Sequence, residues 1–337
     1  MKAILLIGGF GTRLRPLTLT RPKALLPVAN RPFLAYQLEL LREAGVSDVM
    51  LACGNFMLPF KRAFNAIAPR GTKLHFAFEP APLGTGGAIR FAHDRLKSAV
   101  AMDRSPILVF NGDVFFELPV KKFVAFHLTK KAAATIALTR VEDPSRFGLV
   151  ELEKGGRVKR FLEKSKSPFR TDSINAGAYV FSPSTIESMP PGRPFSVERE
   201  FFPALLRRKE AVYGFPMKGY WNDIGTHASY MDAHRVLLTT KNRWTRARFF
   251  RKRSRLKTTP AGKSFSFEGF VSCGDDVSIG KNCRVENSIL MDGCRLEQDA
   301  VVSGAVLGRK CRIGHHAVVR PGSVLADGTE VLPYSKC

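Results

Sequence analysis

The sequence has no apolar run that approaches the ~20 residues required by a membrane-spanning helix. It also lacks a signal peptide at its amino terminus, because one lysine and the five apolar residues 3–7 are too short for one. From these absences we expect a cytoplasmic protein. The length of 337 residues and the hydrophobic content of 45% suffice for two folded domains, each with its own core.

Cysteines spaced for zinc are missing as well. The six cysteines include no Cys-x-x-Cys pair. Four of them, Cys273, Cys283, Cys294 and Cys311, recur in one region at spacings that suit small buried side chains. We therefore expect free thiols rather than disulfides, which agrees with a reducing compartment.

Acidic residues are few, since 29 Asp and Glu stand against 53 Lys and Arg, and the net charge is +24. Such a balance suits a nucleic-acid binder, but it also suits an enzyme that handles phosphorylated substrates. The net charge does not distinguish a nucleic-acid binder from such an enzyme, and no other feature leads us to expect DNA as a partner.

Much of this charge lies in residues 241–263, which we interpret as a solvated linker. Trp244, Phe249 and Phe250 within the run leave open docking on an acidic partner, an anionic membrane surface or RNA. The basic residues of its centre are Arg246, Arg248, Arg251, Lys252, Arg253, Arg255 and Lys257.

A glycine-rich loop follows the apolar run 3–7, which has the composition of a buried parallel strand. Gly8, Gly9 and Gly11 allow the backbone to turn tightly and bring its N–H groups close to an anion. Arg13 and Lys23 add positive charge beside it. The spacing matches neither the Walker loop nor the Gly-x-Gly-x-x-Gly dinucleotide loop.

This stretch resembles the signature of the sugar-phosphate nucleotidylyltransferases, which make nucleotide-activated sugars. The resemblance rests on Gly-Gly-x-Gly-Thr-Arg-Leu, Pro-Leu-Thr and Pro-Lys within residues 8–23. It implies that Arg13 holds the leaving phosphates and that Lys23 bridges them or binds the α-phosphate. The nucleotide-binding residues implied in this stretch are Gly8, Gly9, Gly11, Thr12, Arg13 and Lys23.

Two later motifs extend the resemblance. The turn containing Pro82, Gly84 and Thr85 is implied to lie along the base and ribose, although a turn that only starts a helix explains it too. A predicted strand, 107–110, ends in Asn-Gly-Asp, and ligands of parallel sheets bind beyond the carboxyl ends of strands.

The resemblance implies that Gly112 contacts the nucleotide and that Asp113 holds a magnesium ion, and a hard cation does prefer carboxylate oxygen. An Asn-Gly-Asp turn that only caps the next segment is the alternative. In the resemblance, Asp223 of the Trp-Asn-Asp-Ile-Gly motif is the second acidic residue of this Mg²⁺ site. The catalytic residues implied are thus Arg13, Lys23 and Asp113, and Mg²⁺ is the expected cofactor.

The sugar-phosphate site implied by the resemblance consists of Gly148, Glu163, Lys164, Asn175 and Gly177. In it, Glu163 binds sugar hydroxyls and Lys164 binds the phosphate of the sugar. The family usually has a proline after that lysine, whereas this chain has Ser165, which puts the loop shape in doubt. Glu198 is a further candidate for contact with the sugar, and helix capping explains its neighbourhood nearly as well.

The last segment repeats with a period of six residues. An aliphatic residue opens each hexad between Ile279 and Glu330, and a small or apolar residue follows four positions later. This pattern predicts a parallel β-helix, in which each coil buries its apolar positions against the next. Such a domain often closes nucleotidylyltransferases, where it is a left-handed helix that serves assembly, and we expect homo-oligomers through it.

The predicted fold class is α/β, a Rossmann-like, mixed and mostly parallel sheet with helices on both faces, followed by the β-helix. The expected domains are 1–240 (catalytic), 241–264 (basic linker) and 265–337 (β-helix). The implied reaction joins a nucleoside triphosphate to a sugar 1-phosphate and releases pyrophosphate.

Mannose-1-phosphate guanylyltransferases match the layout best. Heptose-1-phosphate enzymes and thymidylyl-, adenylyl- or uridylyltransferases acting on glucose 1-phosphate remain alternatives. A regulatory subunit that binds nucleotide sugar without catalysis is more distant, as is a hexapeptide acyltransferase using His315 and His316.

Overall fold

The computed structural model describes residues 1–101, 103–163, 171–241, 257–258 and 265–337. The chain forms two compact units, and each consists of two stretches that are separate in the sequence. The first unit consists of Met1–Gly9 and Leu34–Trp221, and the second of Phe10–Phe33 and Asn222–Cys337.

Elements are numbered in chain order within the described residues. The α-helices are α1 (Phe33–Glu43), α2 (Lys61–Ala66), α3 (Gly84–Ala99), α4 (Val120–Thr129), α5 (Pro183–Glu187), α6 (Phe202–Arg207) and α7 (His227–Thr239). The strands of the first three-quarters of the chain are β1 (Lys2–Leu6), β2 (Pro27–Val28), β3 (Arg31–Pro32), β4 (Asp48–Gly54), β5 (Lys73–Glu79), β6 (Ile107–Asn111), β7 (Val114–Phe116), β8 (Ala134–Arg140), β9 (Gly148–Leu152), β10 (Val158–Glu163), β11 (Ser173–Phe181), β12 (Val212–Pro216) and β13 (Trp221–Asp223). The strands of the last quarter are β14 (Lys257–Thr258), β15 (Ser266–Cys273), β16 (Ser278–Ile279), β17 (Arg284–Leu290), β18 (Arg295–Leu296), β19 (Val301–Ser303), β20 (Val306–Leu307), β21 (Arg312–Ile313), β22 (Val318–Val319), β23 (Val324–Leu325) and β24 (Glu330–Val331).

The core of the first unit is a nine-stranded sheet. Its continuous path runs β10-β9-β11-β6-β1-β4-β5, and β8 joins β11 to β12. The pairs among β6, β1, β4 and β5 are parallel, whereas β11 is antiparallel to β6, β8 and β9. The central strands are buried apolar runs, as expected of strands covered on both faces. The prediction of a mixed, mostly parallel α/β sheet is confirmed.

The hexad repeat of the second unit folds into parallel strands stacked in register. Arg295, Arg312 and Glu330 lie beside one another in β18, β21 and β24, so one coil is 17 or 18 residues long, about three hexads. The aliphatic positions pack inward with the small ones into one apolar core. The predicted β-helix is thereby confirmed.

All six cysteines are free, and five of them are buried, as expected. No helix among the described residues has both the length and the apolar character needed to cross a bilayer. Most of the run interpreted as a basic linker, 242–256 and 259–264, lies outside the described residues.

Candidate active site

The first two loop glycines follow β1 in the first unit. Gly9 is exposed, and a Cβ built on it would meet no atom within 4 Å. A Cβ on Gly8 would lie 3.4 Å from Oε1 of Glu79, at ordinary contact distance. The fold leaves room for a side chain at both positions, so packing does not explain why they are glycines. A ligand that lies close to this backbone would explain it.

Gly112 and Asp113 lie in the turn between β6 and β7. A Cβ at Gly112 would fall 2.4 Å from Cγ2 of Ile7 and 2.7 Å from the carbonyl oxygen of Leu6, so only glycine allows the turn to approach β1. The Gly112 N–H donates to that carbonyl at 2.8 Å. Asp113 is half-buried at the carboxyl end of β6, where the sequence predicted it.

Gln37 of α1 holds this turn, a role the sequence analysis missed. Its Nε2 donates to the carbonyl oxygens of Asn111 and Val114, both at 2.8 Å, one on each side of Gly112-Asp113. The side chain is 1% exposed. A glutamine inside the apolar run of α1 was the available signal, because a buried polar side chain requires hydrogen-bond partners.

The turn that starts α3 has its own internal partners. The hydroxyl of Thr85 donates to Oε2 of Glu198 at 2.6 Å and accepts the N–H of Val197 at 2.9 Å. Gly84 has a φ of +66°, which favours glycine, and Pro82 is exposed. Thr85 therefore supports the turn, and contact with a nucleotide stays a prediction for all three residues.

Two predicted sugar-site residues of β11 meet at a β-bulge. The Gly177 N–H donates to Oδ1 of Asn175 at 3.0 Å, and Gly177 has a φ of +71°. Asn175 Nδ2 donates to the hydroxyl of Tyr179 at 2.8 Å, which in turn donates to Oε1 of Glu198 at 3.3 Å. Glu198 thus links Thr85 to the β11 residues, and its Oε2 also accepts the hydroxyl of Ser196, the residue that caps the following helical turn.

Gly148 and Glu163 are also brought together, as opposite residues of the antiparallel pair β9–β10. Beside Gly148, the ring of Phe147 contacts that of Trp221 at 5.2 Å between centroids, and Trp221 Nε1 donates to the carbonyl of Ala176 at 3.0 Å. The predicted residue Lys164 lies outside the described residues.

In the second unit, Gly11, Thr12, Arg13 and Lys23 belong to the segment Phe10–Phe33. Gly11 has a φ of +63°, and a Cβ on it would lie 3.0 Å from Cγ2 of Thr18 and 3.2 Å from Cβ of Lys23. Its carbonyl accepts the Thr18 hydroxyl at 2.8 Å. Glycine is therefore required here by the fold, and it allows Lys23 to pack against the loop.

Arg13 and Asp223 meet beside Gly225 of the second unit. A Cβ on Gly225 would lie 3.0 Å from Nη2 of Arg13 and 3.2 Å from Oδ2 of Asp223. The two predicted site residues are thus neighbours, and the glycine of the Asp-Ile-Gly motif makes their approach possible.

The acidic residues suit a cation that completes its coordination with ligand oxygens. Among the described residues, no group of three or more His, Cys, Asp and Glu side chains is arranged to hold a metal. Mg²⁺ usually takes only one or two carboxylates and shares substrate phosphates. Asp113 in the first unit and Asp223 in the second are each half-buried, and each offers the carboxylate oxygen that a hard divalent cation prefers.

Glu79 is a buried carboxyl group beside Gly8 of the glycine-rich loop, and it was not among the residues predicted from the sequence. Burial raises its pKa, and the Leu83 N–H, which donates to Oε2 at 3.2 Å, opposes the rise. Its position at the carboxyl end of β5 and beside Gly8 was the signal, because ligands of parallel sheets bind at such ends.

The histidine pair of the β-helix has local partners. His315 lies 3.5 Å from Glu297 and His316 lies 3.5 Å from Asp299, and both rings contact Tyr334. Both imidazoles are close to half-exposed. This arrangement is typical of solvated surface pairs.

Two family models cover nearly the whole chain. The model described as Nucleotidyl transferase matches residues 2–240, and the model described as GMPPB C-terminal domain matches residues 257–334. The chain belongs to the nucleotidyl transferase family.

Similar curated proteins include mannose-1-phosphate guanylyltransferases. Mannose-1-phosphate guanylyltransferase 1 of Arabidopsis thaliana is 33% identical over 98% of this chain and 92% of its own length. Mannose-1-phosphate guanyltransferase of Candida albicans is 34% identical with the same two shares. The resemblance found in the sequence is confirmed, and the chain is an enzyme of the sugar-1-phosphate nucleotidyltransferase type.

Solved structures agree. HddC from Yersinia pseudotuberculosis, also solved as a complex with GMP-PN, is 30% identical and covers 70% of this chain and 99% of its own. The TM-scores are 0.59 and 0.58. A putative glucose-1-phosphate thymidylyltransferase from Bacillus anthracis shares the fold at 23% identity, with a TM-score of 0.61 over 72% of this chain and 97% of its own.

Proposed function

We propose that this enzyme transfers GMP from GTP to mannose 1-phosphate and releases GDP-mannose and pyrophosphate. The observation that carries the proposal is the near full-length similarity to mannose-1-phosphate guanylyltransferases, at 31–34% identity over at least 98% of the chain. The approach of Arg13 to Asp223 at Gly225 supports it, because it pairs an anion-binding group with a candidate metal ligand.

In this proposal a phosphate oxygen of mannose 1-phosphate attacks the α-phosphorus of GTP, and pyrophosphate leaves. No protein nucleophile is required, so positioning and charge neutralisation supply most of the acceleration. Arg13 binds the leaving phosphates, and Lys23 bridges them or binds the α-phosphate. Lys164 anchors the sugar phosphate, and Glu163, Asn175 and the Gly148 and Gly177 backbones bind the sugar.

Enzymes of this family generally use a divalent metal ion. We propose Mg²⁺ held by Asp113 and Asp223, where it would neutralise charge on the phosphates. The backbones of Gly8, Gly9 and Gly112 and the Thr12 side chain contribute nucleotide contacts. Free thiols throughout the chain favour a reducing compartment, and we propose that the enzyme acts in the cytoplasm.

Glu79 supports guanine as the base. The N1–H and N2–H₂ groups of guanine present two adjacent donors, and an ionised carboxylate accepts both. Binding such a donor pair also favours the charged form of a carboxyl group that burial disfavours. Glu79→Gln, which replaces one acceptor by a donor, is expected to raise the KM for GTP more than the KM for mannose 1-phosphate.

The test is pyrophosphate release by the full chain with Mg²⁺, crossing GTP, dTTP, UTP, ATP and CTP with mannose, glucose and heptose 1-phosphates. We expect GTP with mannose 1-phosphate to be fastest, and Asp113→Asn to abolish the signal. Asp172→Asn, which removes an exposed carboxylate paired with Arg140, is the matched control and should retain activity.

A different fastest pair would replace the proposed substrates. Silence across all pairs, with GDP-mannose still bound, would replace catalysis by a regulatory role. Sedimentation of the same protein tests the further proposal that it forms homo-oligomers through the β-helix, and a monomer would refute it.

A further inference from the structure

Arg21 is a buried arginine two residues before Lys23. Its side chain is 7% exposed, although arginine is almost never buried without a partner. It lies in the segment Phe10–Phe33, which belongs to the same compact unit as the β-helix. The proposed reaction assigns it no role.

The partner of Arg21 is Asp327, in the turn between β23 and β24 of the β-helix. Oδ2 of Asp327 accepts hydrogen bonds from Nη2 of Arg21 and, at 2.8 Å, from the hydroxyl of Thr20. Oδ1 accepts the backbone N–H of Arg309, one coil earlier, at 2.8 Å. Oδ1 is thus fixed by the β-helix backbone, while Oδ2 holds Thr20 and Arg21.

The charge state of this carboxyl group agrees with its contacts. Burial by itself raises the pKa of Asp327, but the Thr20 hydroxyl, the Arg309 N–H and the Arg21 guanidinium together outweigh burial and lower it. The side chain is therefore an anion at neutral pH.

A rigid connection leads from Arg21 to Lys23. Pro22, also buried, has φ −59° and ψ 144°, and Lys23 begins the 3-10 turn Lys23–Leu25. The Leu25 N–H donates to the Pro22 carbonyl at 2.9 Å, which closes that turn. A displacement of Arg21 would therefore move Lys23 rather than be absorbed between them.

The far end of the segment is held by the second unit as well. Asn30 Nδ2 donates to the carbonyl of Cys273, the last residue of β15. His234 of α7 lies 3.1 Å from the carbonyl of Pro27, which also accepts the Tyr230 hydroxyl. Arg21 and the stretch from Pro27 to Asn30 are thus both held by the carboxyl-terminal part of the chain. The conformation of the residues between them, Lys23 included, depends on these contacts.

We propose that Asp327 is a positioning residue for nucleotidyl transfer, which holds Arg21 and Thr20 so that Lys23 and Arg13 keep the phosphate-binding conformation. The proposal rests on the proposed function and extends it, because it makes the β-helix part of the machinery for turnover. A buried ion pair is rarely the most stabilising choice at a site, so its presence here is better explained by geometry than by stability.

The test measures kcat and both KM values for Asp327→Asn in the full chain, with pyrophosphate release from GTP and mannose 1-phosphate. Because a displacement of about 1 Å can cost about 100-fold in rate, we expect kcat to fall by about 10- to 100-fold. The KM for mannose 1-phosphate should stay near that of the wild type. Asp327→Glu, which keeps the charge, should restore part of the rate.

Asp292→Asn is the matched control. Asp292 accepts the backbone N–H of Asp275 at 3.0 Å, the same contact two coils earlier, and its charged partner is Arg309 of the β-helix. This variant should keep wild-type kcat. Because Asp327 acts partly through Arg21, Asp327→Asn should also cost less in an Arg21→Gln background than in the wild type.

Thr20→Val removes the hydrogen bond from Thr20 to Asp327, and Thr20 is exposed, so the variant should fold. It should lower kcat even if Asp327→Asn does not fold. If Asp327→Asn and Thr20→Val keep the wild-type kcat and lower only the melting temperature, this proposal alone is overturned. A wild type that is silent with every substrate pair would overturn the proposed function, and this proposal with it.

Discussion

At the scale of single residues, the most instructive side chain is Gln37, which holds the turn that carries Asp113. It fixes the two carbonyls that flank the Gly112-Asp113 turn, so it determines where the carboxylate lies. A glutamine inside an apolar helix run predicts that hydrogen-bond partners exist, but only the structure shows which carbonyls they are.

Gln37→Met, which preserves the volume but removes the donors, is expected to destabilise the protein by about 1–3 kcal/mol, the cost of leaving buried acceptors unpaired. It should also raise the Mg²⁺ concentration at half-maximal activity, because the turn that carries Asp113 is released. Urea unfolding and a Mg²⁺ titration of activity measure the two effects.

Glu39→Gln is the control on the same helix. Glu39 pairs with Arg42 near the surface, and its loss should change neither quantity appreciably. An unchanged Mg²⁺ dependence in Gln37→Met would contradict the role assigned to Gln37.

His234 makes stability dependent on pH. Its Nε2 lies 3.1 Å from the Pro27 carbonyl and its Nδ1 lies 3.4 Å from the Ala29 nitrogen, which suits a neutral ring that donates from Nε2 and accepts at Nδ1. Burial lowers the pKa of His234 to about 3, and the hydrogen bond to Pro27 opposes this only partly.

Because the unfolded histidine has a pKa of about 6.5, only the unfolded state takes up this proton between pH 6.5 and 3. The free energy of unfolding should therefore fall as the pH decreases through this window, by up to about 1.4 kcal/mol per unit. His234→Gln should reduce this slope in urea unfolding measured between pH 7 and 4. His127→Gln should reduce it too, with its effect ending near pH 4, where burial places the pKa of His127. Equal slopes in wild type and His234→Gln would show that the ring is not buried in the neutral form.

At the scale of elements, the start of α3 shows that its glycines serve packing. A Cβ on Gly86 would lie 2.1 Å from Cε2 of the Phe195 ring, and the Gly86 N–H donates to the Phe195 carbonyl at 3.0 Å. The Gly-rich turn is therefore fitted against the segment that leads to Glu198.

Gly86→Ala is expected to destabilise the protein by about 1–3 kcal/mol through overpacking. Phe195→Leu in the same chain should recover part of the loss by opening space. Thermal unfolding of the single and double variants measures both changes, and a double variant less stable than Gly86→Ala alone would refute the packing argument.

Gly9→Ala provides the contrast, because its Cβ meets nothing in the protein. It should leave the melting temperature near that of the wild type while raising the KM for GTP. A loss of stability as large as that of Gly86→Ala would show that Gly9, too, is required by the fold.

At the scale of the whole molecule, the contacts and the chain order divide the protein differently. The expected boundaries at residues 240 and 264 follow composition and stay a prediction, whereas the segment Phe10–Phe33 packs in one unit with residues beyond Trp221. A fragment ending at residue 240 would lack both Asp327 and the Cys273 carbonyl.

We therefore expect the 1–240 fragment to keep the circular dichroism of an α/β protein but to lose most of its turnover. The control is a full chain with a protease site inserted between residues 242 and 256 and cut after folding, which keeps all parts present and should remain active. Full kcat in the isolated fragment would show that the β-helix is dispensable for the reaction.

The sequence by itself determined the features that depend on near neighbours in the chain. Gly11 and Gly112 are required by a positive φ or a close backbone approach, and such needs leave a mark on composition. The hexad repeat predicted the β-helix because its period equals about one third of a coil. Buried apolar runs likewise predicted the central strands, β1 and β6 among them.

Only the tertiary structure decided which side chains meet. The Gln37 partners Asn111 and Val114 are 74 and 77 residues away, Thr85 meets Glu198 across 113 residues, and Arg21 meets Asp327 across 306. Local pattern carries no record of such pairs, because they arise when separate elements pack and each buried polar group must find a partner. The glycine-rich loop could therefore be located from the sequence, whereas the contacts that hold it in place could not.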